Sequence, residues 1–293
     1  MRMPRWLVAV SAASCVLAAP GRSAAAHVTE SPTPAPTATP APASSAPSDP
    51  CTTIIAIVTR PTVTTSVCTV RPQHLLVENG WTNTVTTGPG GGNTATYPQS
   101  FVRIGTDIRQ VEIDWTPPSY NRSSVGGAII SGASDMAFGA KWEAGYDSRA
   151  VWGCNASVSV PSGDTAFTAG TTQYMFNLNG SYTLTPVFSL SSTLGFNSLG
   201  MPAAPNAAQR YFSFIPTLAL FASTSRVSEA FAEYAYFSRT GPGLPGKSLI
   251  DFGYEQDLGR HLQLDAEYGF TPASFNGQRQ QYVGAGVSFM FGS

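Results

Sequence analysis

The sequence DMAFGAKWEAGYD, residues 135–147, alternates strictly between two kinds of side chain. Its even positions carry Met, Phe, Ala, Trp, Ala and Tyr, whereas its odd positions carry acidic, basic or small residues. Successive side chains of an extended strand point to opposite faces, so this segment predicts a strand with one apolar and one polar face. Residues 261–270 repeat the alternation.

The period of two continues from residue 74 to the end of the chain. It predicts twelve strands, near 74–82, 101–106, 109–116, 134–147, 149–160, 172–182, 186–197, 210–223, 226–239, 247–256, 261–272 and 280–291. Most of them have about ten residues or more, which is long enough to cross a membrane at a tilt. Strands of soluble domains more often have about five or six residues.

The connections between these strands alternate in length. Short turns fall near 107–108, 148, 183–185, 224–225 and 257–260, and longer loops at 83–100, 117–133, 161–171, 198–209, 240–246 and 273–279. Short periplasmic turns and longer outer loops are typical of outer-membrane barrels. The sequence therefore predicts an all-β fold, an antiparallel up-and-down transmembrane β-barrel of about 12 strands in the outer membrane, with both termini in the periplasm.

The composition is consistent with a membrane barrel. Charged residues make up 11% of the chain, which is less than half the share that is usual in soluble domains. After residue 26 no run of about 18 apolar residues could form a spanning helix. A membrane location therefore requires a closed barrel, in which every backbone polar group is paired.

The N-terminal part predicts export and a domain order. Arg2 and Arg5 flank an apolar run that ends in small residues, which is the order of a signal peptide over residues 1–26. A lipoprotein signal at Cys15 is the less favoured alternative. Residues 27–50 are rich in Pro, Ala, Thr and Ser and predict a periplasmic spacer, followed by residues 51–72 and a barrel over 73–293.

Residues 51–72 have two interpretations. The apolar run 54–58 either adds a strand to the barrel, or enters the lumen or covers its mouth as a plug; the plug is favoured. Cys51 and Cys68 lie in an oxidising compartment and could form a disulfide. Cys154 sits alone in a strand pattern, and no Cys/His spacing indicates a metal site. No cofactor is expected.

Eleven of the 17 acidic residues are predicted to face the lumen, with two basic residues. The lumen-lining set is Glu78, Arg103, Glu112, Asp114, Asp135, Lys141, Glu143, Glu229, Glu233, Asp251, Glu255, Asp265 and Glu267. Either these groups fill a packed, hydrogen-bonded interior, in which Arg103 and Lys141 neutralise nearby acids, or they form an acidic path that attracts cations.

The charge balance and the last strand indicate partners. Loss of residues 1–26 would remove three of the 16 basic residues and none of the 17 acidic ones, so the mature chain is acidic and nucleic acid is not an expected partner. The final strand ends in Phe289 and Phe291. This aromatic ending resembles the signal read by the barrel-assembly machinery. The expected state is a monomer surrounded by outer-membrane lipid.

Several segments together resemble the outer-membrane "transporter" family named for the MetA pathway of phenol degradation. They are Thr59–Pro61, Val70–Leu75 with Glu78, Gly132–Asp135 with Gly139 and Lys141, Val160–Asp164, Phe231 with Glu233 and Tyr234, Asp251–Tyr254, Leu262–Asp265 and Val283–Phe289. The resemblance covers about residues 58–291 and departs from the family pattern at Gln73. It implies an outer-membrane barrel and suggests passage of small, aromatic or hydrophobic solutes.

Three functions are compatible with this pattern. Passage of small solutes is favoured, and a non-conducting structural or adhesive barrel with a packed lumen is the alternative. A lipid hydrolase is the third, because His261 could pair with Asp265 or Ser288. No nucleophile elbow is present, and both His74 and His261 fall at predicted periplasmic strand ends. We therefore expect no enzyme activity.

Overall fold

The computed structural model describes residues 48–108, 110–203 and 207–292. The predicted signal peptide, 1–26, and nearly all of the predicted spacer, 27–50, lie outside these residues. One short helix, α1, spans Ile54–Ile57. It is followed by fifteen strand segments: β1 Leu75–Thr87, β2 Gly92–Tyr97, β3 Phe101–Gly105, β4 Val111–Thr116, β5 Tyr120–Val125, β6 Ala128–Ala133, β7 Met136–Tyr146, β8 Ala150–Val160, β9 Gln173–Thr183, β10 Phe188–Ala203, β11 Ala207–Ser225, β12 Ser228–Phe237, β13 Lys247–Asp257, β14 Leu262–Phe270 and β15 Arg279–Phe291.

The segments form a closed antiparallel barrel of twelve strands. Pairing of β1 with β15 from Leu75–Phe291 to Thr87–Arg279 closes it. Three barrel strands are each broken once, between β2 and β3, between β4 and β5, and between β6 and β7. Pro98, Pro117 and Pro118 lie in the first two breaks, where a residue without an N–H cannot donate to the ladder. The predicted fold class is confirmed.

Connections at one end are short throughout, and we call it the short-turn end. Its turns lie at 106–110, 147–149, 184–187, 226–227 and 258–261, close to the predicted positions. The opposite end is the long-loop end. There, the predicted loops 83–100, 117–133 and 198–209 are wrong in large part, because β2, β5, β6 and the ends of β1, β10 and β11 occupy them. These segments are rich in Thr, Ser, Asn and Gly, so backbone pairing extends them without the apolar alternation that reveals a strand.

The outer surface is apolar and the inner surface is polar. Large exposed side chains on the barrel strands include Trp81, Ile113, Trp115, Phe138, Leu178, Leu218, Tyr234, Phe252, Leu264 and Tyr268. Arg103, Glu78, Glu112 and Asp251 are fully buried on the inner face. This inversion is the pattern of a barrel that faces lipid. Among the described residues, no helix is long and apolar enough to cross a membrane.

One β-bulge changes which side chains face lipid in the deciding segment. The pairing of β7 with β8 shifts register between Glu143 and Gly145, so Tyr146 pairs with Val151. Both lie in or against the buried cluster inside the barrel. The prediction that Tyr146 lies on the same apolar face as Phe138 and Trp142 is therefore wrong, because one extra residue in a strand sends the following side chains to the opposite face.

Candidate functional site

Residues 51–72, which we call the plug, lie inside the short-turn half of the barrel. Their described part contains α1 and no strand, so the alternative of an added barrel strand is wrong. Cys51 and Cys68 are joined by a disulfide. Plug residues Ile54, Ile57, Val67 and Val70 pack with the wall residues Leu76, Val151 and Met290 in the main buried apolar cluster. The plug thus has its own small core, closed by a covalent link.

An ion network fixes the plug to one side of the barrel, formed by β1, β3, β4 and β7, which we call the anchoring wall. Arg103 on β3 donates to Glu78 (Nη1–Oε1, 3.0 Å) and to both carboxylate oxygens of Glu112, at 2.9 and 3.2 Å. The same guanidinium also donates to the plug carbonyls of Ile57 and Cys68. The guanidinium of an arginine can donate several hydrogen bonds at once. Arg103 therefore links Glu78 on β1 and Glu112 on β4 to the plug.

The carboxylates of the anchoring wall also accept hydrogen bonds from plug backbone. Glu78 accepts from the N–H groups of Thr59 and Arg60, and Glu112 accepts from Val70 N at 2.6 Å. Lys141 Nζ lies 3.3 Å from Glu112 Oε1 and completes the charge balance. Arg103 and Lys141 thus lie within ion-pair distance of Glu78 and Glu112 at this wall.

Arg60 is a third inward base, supplied by the plug, that the sequence analysis did not identify. Its guanidinium lies 3.3 Å from Asp265 on β14 and also donates to Gln99 and to the carbonyl of Ala285. Gly80 and Gly286 face each other across the closing ladder. A Cβ at either position would collide with this guanidinium. The glycine pair therefore makes room for Arg60 at the barrel seam.

On the opposite side, formed by β8 to β12, Val151 packs in the apolar cluster with the plug, and the polar contacts of the described residues are hydrogen bonds without an ion pair. Residues 62–65, which we call the plug turn, meet three wall residues. Glu233 accepts from Val63 N at 2.7 Å and from Thr64 N at 2.6 Å. Thr64 Oγ1 lies 2.6 Å from Thr217 Oγ1, and Thr65 N donates to Thr193 Oγ1 at 2.9 Å. No base of the described residues forms an ion pair with Glu233.

The other acids of the predicted lumen set are spread over several strands. Three carboxylates are aligned across β12, β13 and β14, because Glu229 lies opposite Glu255 and Glu255 lies opposite Asp265. Glu233 on β12 lies opposite Asp251 on β13. The carboxylate of Glu143 accepts from Gln110 and from the plug at Thr69. Asp114 and Glu267 face inward on β4 and β14. Asp135 lies between β6 and β7 and accepts from Gly163 N and Ala169 N, so it fixes the β8–β9 loop.

A cavity of about 190 Å³ lies between the plug and the hydrogen-bonded side. Its lining comprises hydroxyl side chains of β9 and β10, apolar plug side chains, Phe221, and the carboxylates of Glu229 and Glu255. The plug turn lies beside it with Thr64 and Thr65 in the lining. The cavity and the weaker attachment of the plug are therefore on the same side of the lumen.

The two histidines of the described residues, His74 and His261, do not form the arrangement that a serine hydrolase requires. His261 Nδ1 lies 3.1 Å from the carbonyl oxygen of Met290, and His74 Nδ1 lies 2.9 Å from the carbonyl of Pro72. Asp265 is engaged by Arg60. The Cys51 and Cys68 sulfurs lie near Glu143, but the disulfide removes the thiolates that would ligate a metal.

Comparison with known proteins identifies a shared fold. No protein-family model matches the chain, and no curated protein matches it. Among solved structures, an outer-membrane channel of Pseudomonas putida F1 is 11% identical and aligns over 76% of this chain and 97% of its own, with a TM-score of 0.58. The NanC porin is 9% identical over 72% of this chain and 98% of its own, with a TM-score of 0.48. The fold is that of an outer-membrane barrel.

Proposed function

We propose that this protein is an outer-membrane channel for small solutes and that the plug limits passage through it. The apolar belt supports a position of the barrel in lipid, and the short turns support a periplasmic location of both termini. We infer that the barrel-assembly machinery inserts it and that it acts as a monomer, without enzyme activity.

The unequal attachment of the plug carries this proposal. On the anchoring wall, the buried Arg103 network holds the plug. The apolar cluster adds contacts from Leu76 on β1, Val151 on β8 and Met290 on β15. On the other side the plug turn makes only hydrogen bonds, to Glu233, Thr193 and Thr217. A net hydrogen bond contributes about 0.5–1.5 kcal/mol between neutral groups and about 1.5–3 kcal/mol where one group is charged. Displacement of the plug turn would join the cavity to the outer lumen and would leave the Arg103 network of the anchoring wall intact.

The charges of the lumen favour cations over anions. Asp265 is matched by Arg60, whereas Glu229, Glu233, Asp251 and Glu255 have no basic partner within ion-pair distance among the described residues. Rings of carboxylates favour cations in pores. The resemblance to the MetA-pathway family supports small aromatic or hydrophobic solutes as a class, and both properties are compatible with an organic cation.

Single-channel conductance of the refolded protein in a planar bilayer, under a salt gradient, tests this function. We expect discrete steps with a cation preference that falls in Glu233→Gln and Asp251→Asn. Asp147→Asn is the matched control, because Asp147 lies in an exposed turn at the short-turn end. Conductance steps without a cation preference would contradict a solute path lined by these carboxylates.

A second candidate is a non-conducting structural or adhesive barrel. The observation that favours it is the filling of the short-turn half by the plug, with Glu78, Glu112 and Arg103 fully buried. A folded barrel that stays silent in the wild type and in variants with a weakened plug turn would support this candidate and exclude the channel.

A further inference from the structure

The inner face of β12, β13 and β14 carries three carboxylates in one line across the strands. Glu229 pairs in register with Glu255, and Glu255 pairs in register with Asp265. Directly opposite side chains of antiparallel strands have Cβ atoms about 4.5–5.5 Å apart, and like charges there repel. We call these three residues the carboxylate row. Its geometry creates a position where a positive charge is strongly favoured.

The structure supplies a cation at only one end of this row. Arg60 lies 3.3 Å from Asp265, but no described Lys or Arg forms an ion pair with Glu229 or Glu255. On the anchoring wall, in contrast, Arg103 forms an ion pair with Glu78 and Lys141 forms one with Glu112. The unmatched end of the row is the end that borders the cavity.

A buried amide beside the row provides a separate indication of a ligand. Gln263 is fully buried, and its Nε2 donates to Glu255 Oε2 at 2.7 Å. Its Oε1 has no hydrogen-bond partner among the described residues. An unpaired buried acceptor costs about 1–3 kcal/mol, so this oxygen indicates a donor that approaches the same carboxylate.

The cavity sets the size and character of the molecule that carries this donor. It has a volume of about 190 Å³, whereas an engineered apolar cavity of roughly 150 Å³ holds benzene. Ile55, Val67 and Phe221 supply apolar surface in the lining, and Glu229 and Glu255 supply its acidic part. A molecule with one cationic group and a hydrocarbon part of about four to six carbons fits a cavity whose lining has one acidic and one apolar part.

We propose that the cavity binds a small primary amine, with its ammonium group between Glu229 and Glu255 and its hydrocarbon body against Ile55, Val67 and Phe221. An ammonium has three donors, and the carboxylates of Glu229 and Glu255 in the cavity lining can accept two of them. A metal ion fits less well, because the oxygens of the row do not form a metal-sized group among the described residues. This inference rests on the proposed channel function and names its solute class.

Isothermal titration of the folded full chain in nanodiscs with n-butylamine tests the proposal, with 1-butanol and butanoate as neutral and anionic controls. We expect butylamine to bind and both controls to bind far more weakly. Glu229→Gln and Glu255→Gln should each weaken butylamine binding at least about tenfold, since each leaves the cation with one buried partner. Glu267→Gln is the matched control, a carboxylate on β14 outside the cavity, and should change binding little.

Three results would overturn the proposal. Equal binding of butylamine and butanol, or equal binding by the wild type and the Glu229→Gln/Glu255→Gln variant, would remove the carboxylate row from the site. Displacement of butylamine by Ca²⁺ at far lower concentration would assign the row to a divalent cation. Because titration requires no passage, a protein that conducts without binding butylamine contradicts only this inference, and one that binds butylamine but never conducts contradicts only the channel.

Discussion

At the scale of single residues, Arg103 has the largest structural role in the lumen. It is fully buried and touches Glu78, Glu112 and two plug carbonyls. Removing one member of a buried ion network leaves the others charged and without a partner. The stability of the plug and that of the barrel wall are therefore coupled through this guanidinium.

Arg103→Met should lower the free energy of unfolding by about 3–5 kcal/mol. Urea unfolding of the refolded protein in lipid vesicles measures this. Arg149→Met, in an exposed turn at the short-turn end, is the control and should stay within about 0.5 kcal/mol of the wild type. Equal effects of the two substitutions would show that the Arg103 network does not stabilise the fold.

The glycine pair Gly80 and Gly286, where β1 meets β15, gives a second test at this scale. Gly286→Ala places a Cβ against Arg60 and Asp265 and should cost about 1–3 kcal/mol, as overpacking usually does. Gly180→Ala has open space and should be nearly neutral. In a double-mutant cycle, Gly286→Ala should cost less in an Arg60→Ser background, because the collision with Arg60 is then absent and only the one with Asp265 remains. Additive costs would mean that Gly286 is required for another reason.

At the scale of elements, the alternation of each strand decides which side chains face lipid. The period of two was sufficient to predict twelve strands and their short turns. It failed at β2, β5 and β6, because apolar and polar residues do not alternate regularly in those segments. It also failed at Tyr146, because a one-residue bulge does not alter the sequence pattern.

Adjacent residues of β9 test this assignment of faces. Leu178 is 42% exposed on the outer face, whereas Asn177 faces inward. Leu178→Arg should cost about 2–4 kcal/mol near the bilayer middle, and Asn177→Arg should cost clearly less because the lumen is polar. Folding yield into vesicles and urea unfolding give the comparison. Equal costs would contradict the inward and outward assignment of β9.

At the scale of the whole molecule, the barrel combines a side where a buried ion network holds the plug with a side where hydrogen bonds hold the plug turn. The alternation of the sequence assigns the lumen acids to one face of their strands. It could not predict their partners, since Arg60 and the plug turn reach those acids from a segment without strand periodicity. The cavity beside Glu229 and Glu255 depends on how the plug packs, which no local pattern encodes.

The measurement that tests this account most directly is the single-channel conductance of Thr64→Cys/Thr217→Cys in a Cys154→Ser background, before and after oxidation. The two threonine hydroxyls lie 2.6 Å apart, so the introduced thiols should form a disulfide that locks the plug turn to β11. Thr64→Cys alone, in the same background and with the same reductant, controls for reduction of Cys51–Cys68. We predict conducting steps in the reduced protein and their loss after oxidation. Equal conductance in both states would contradict a passage that depends on release of the plug turn.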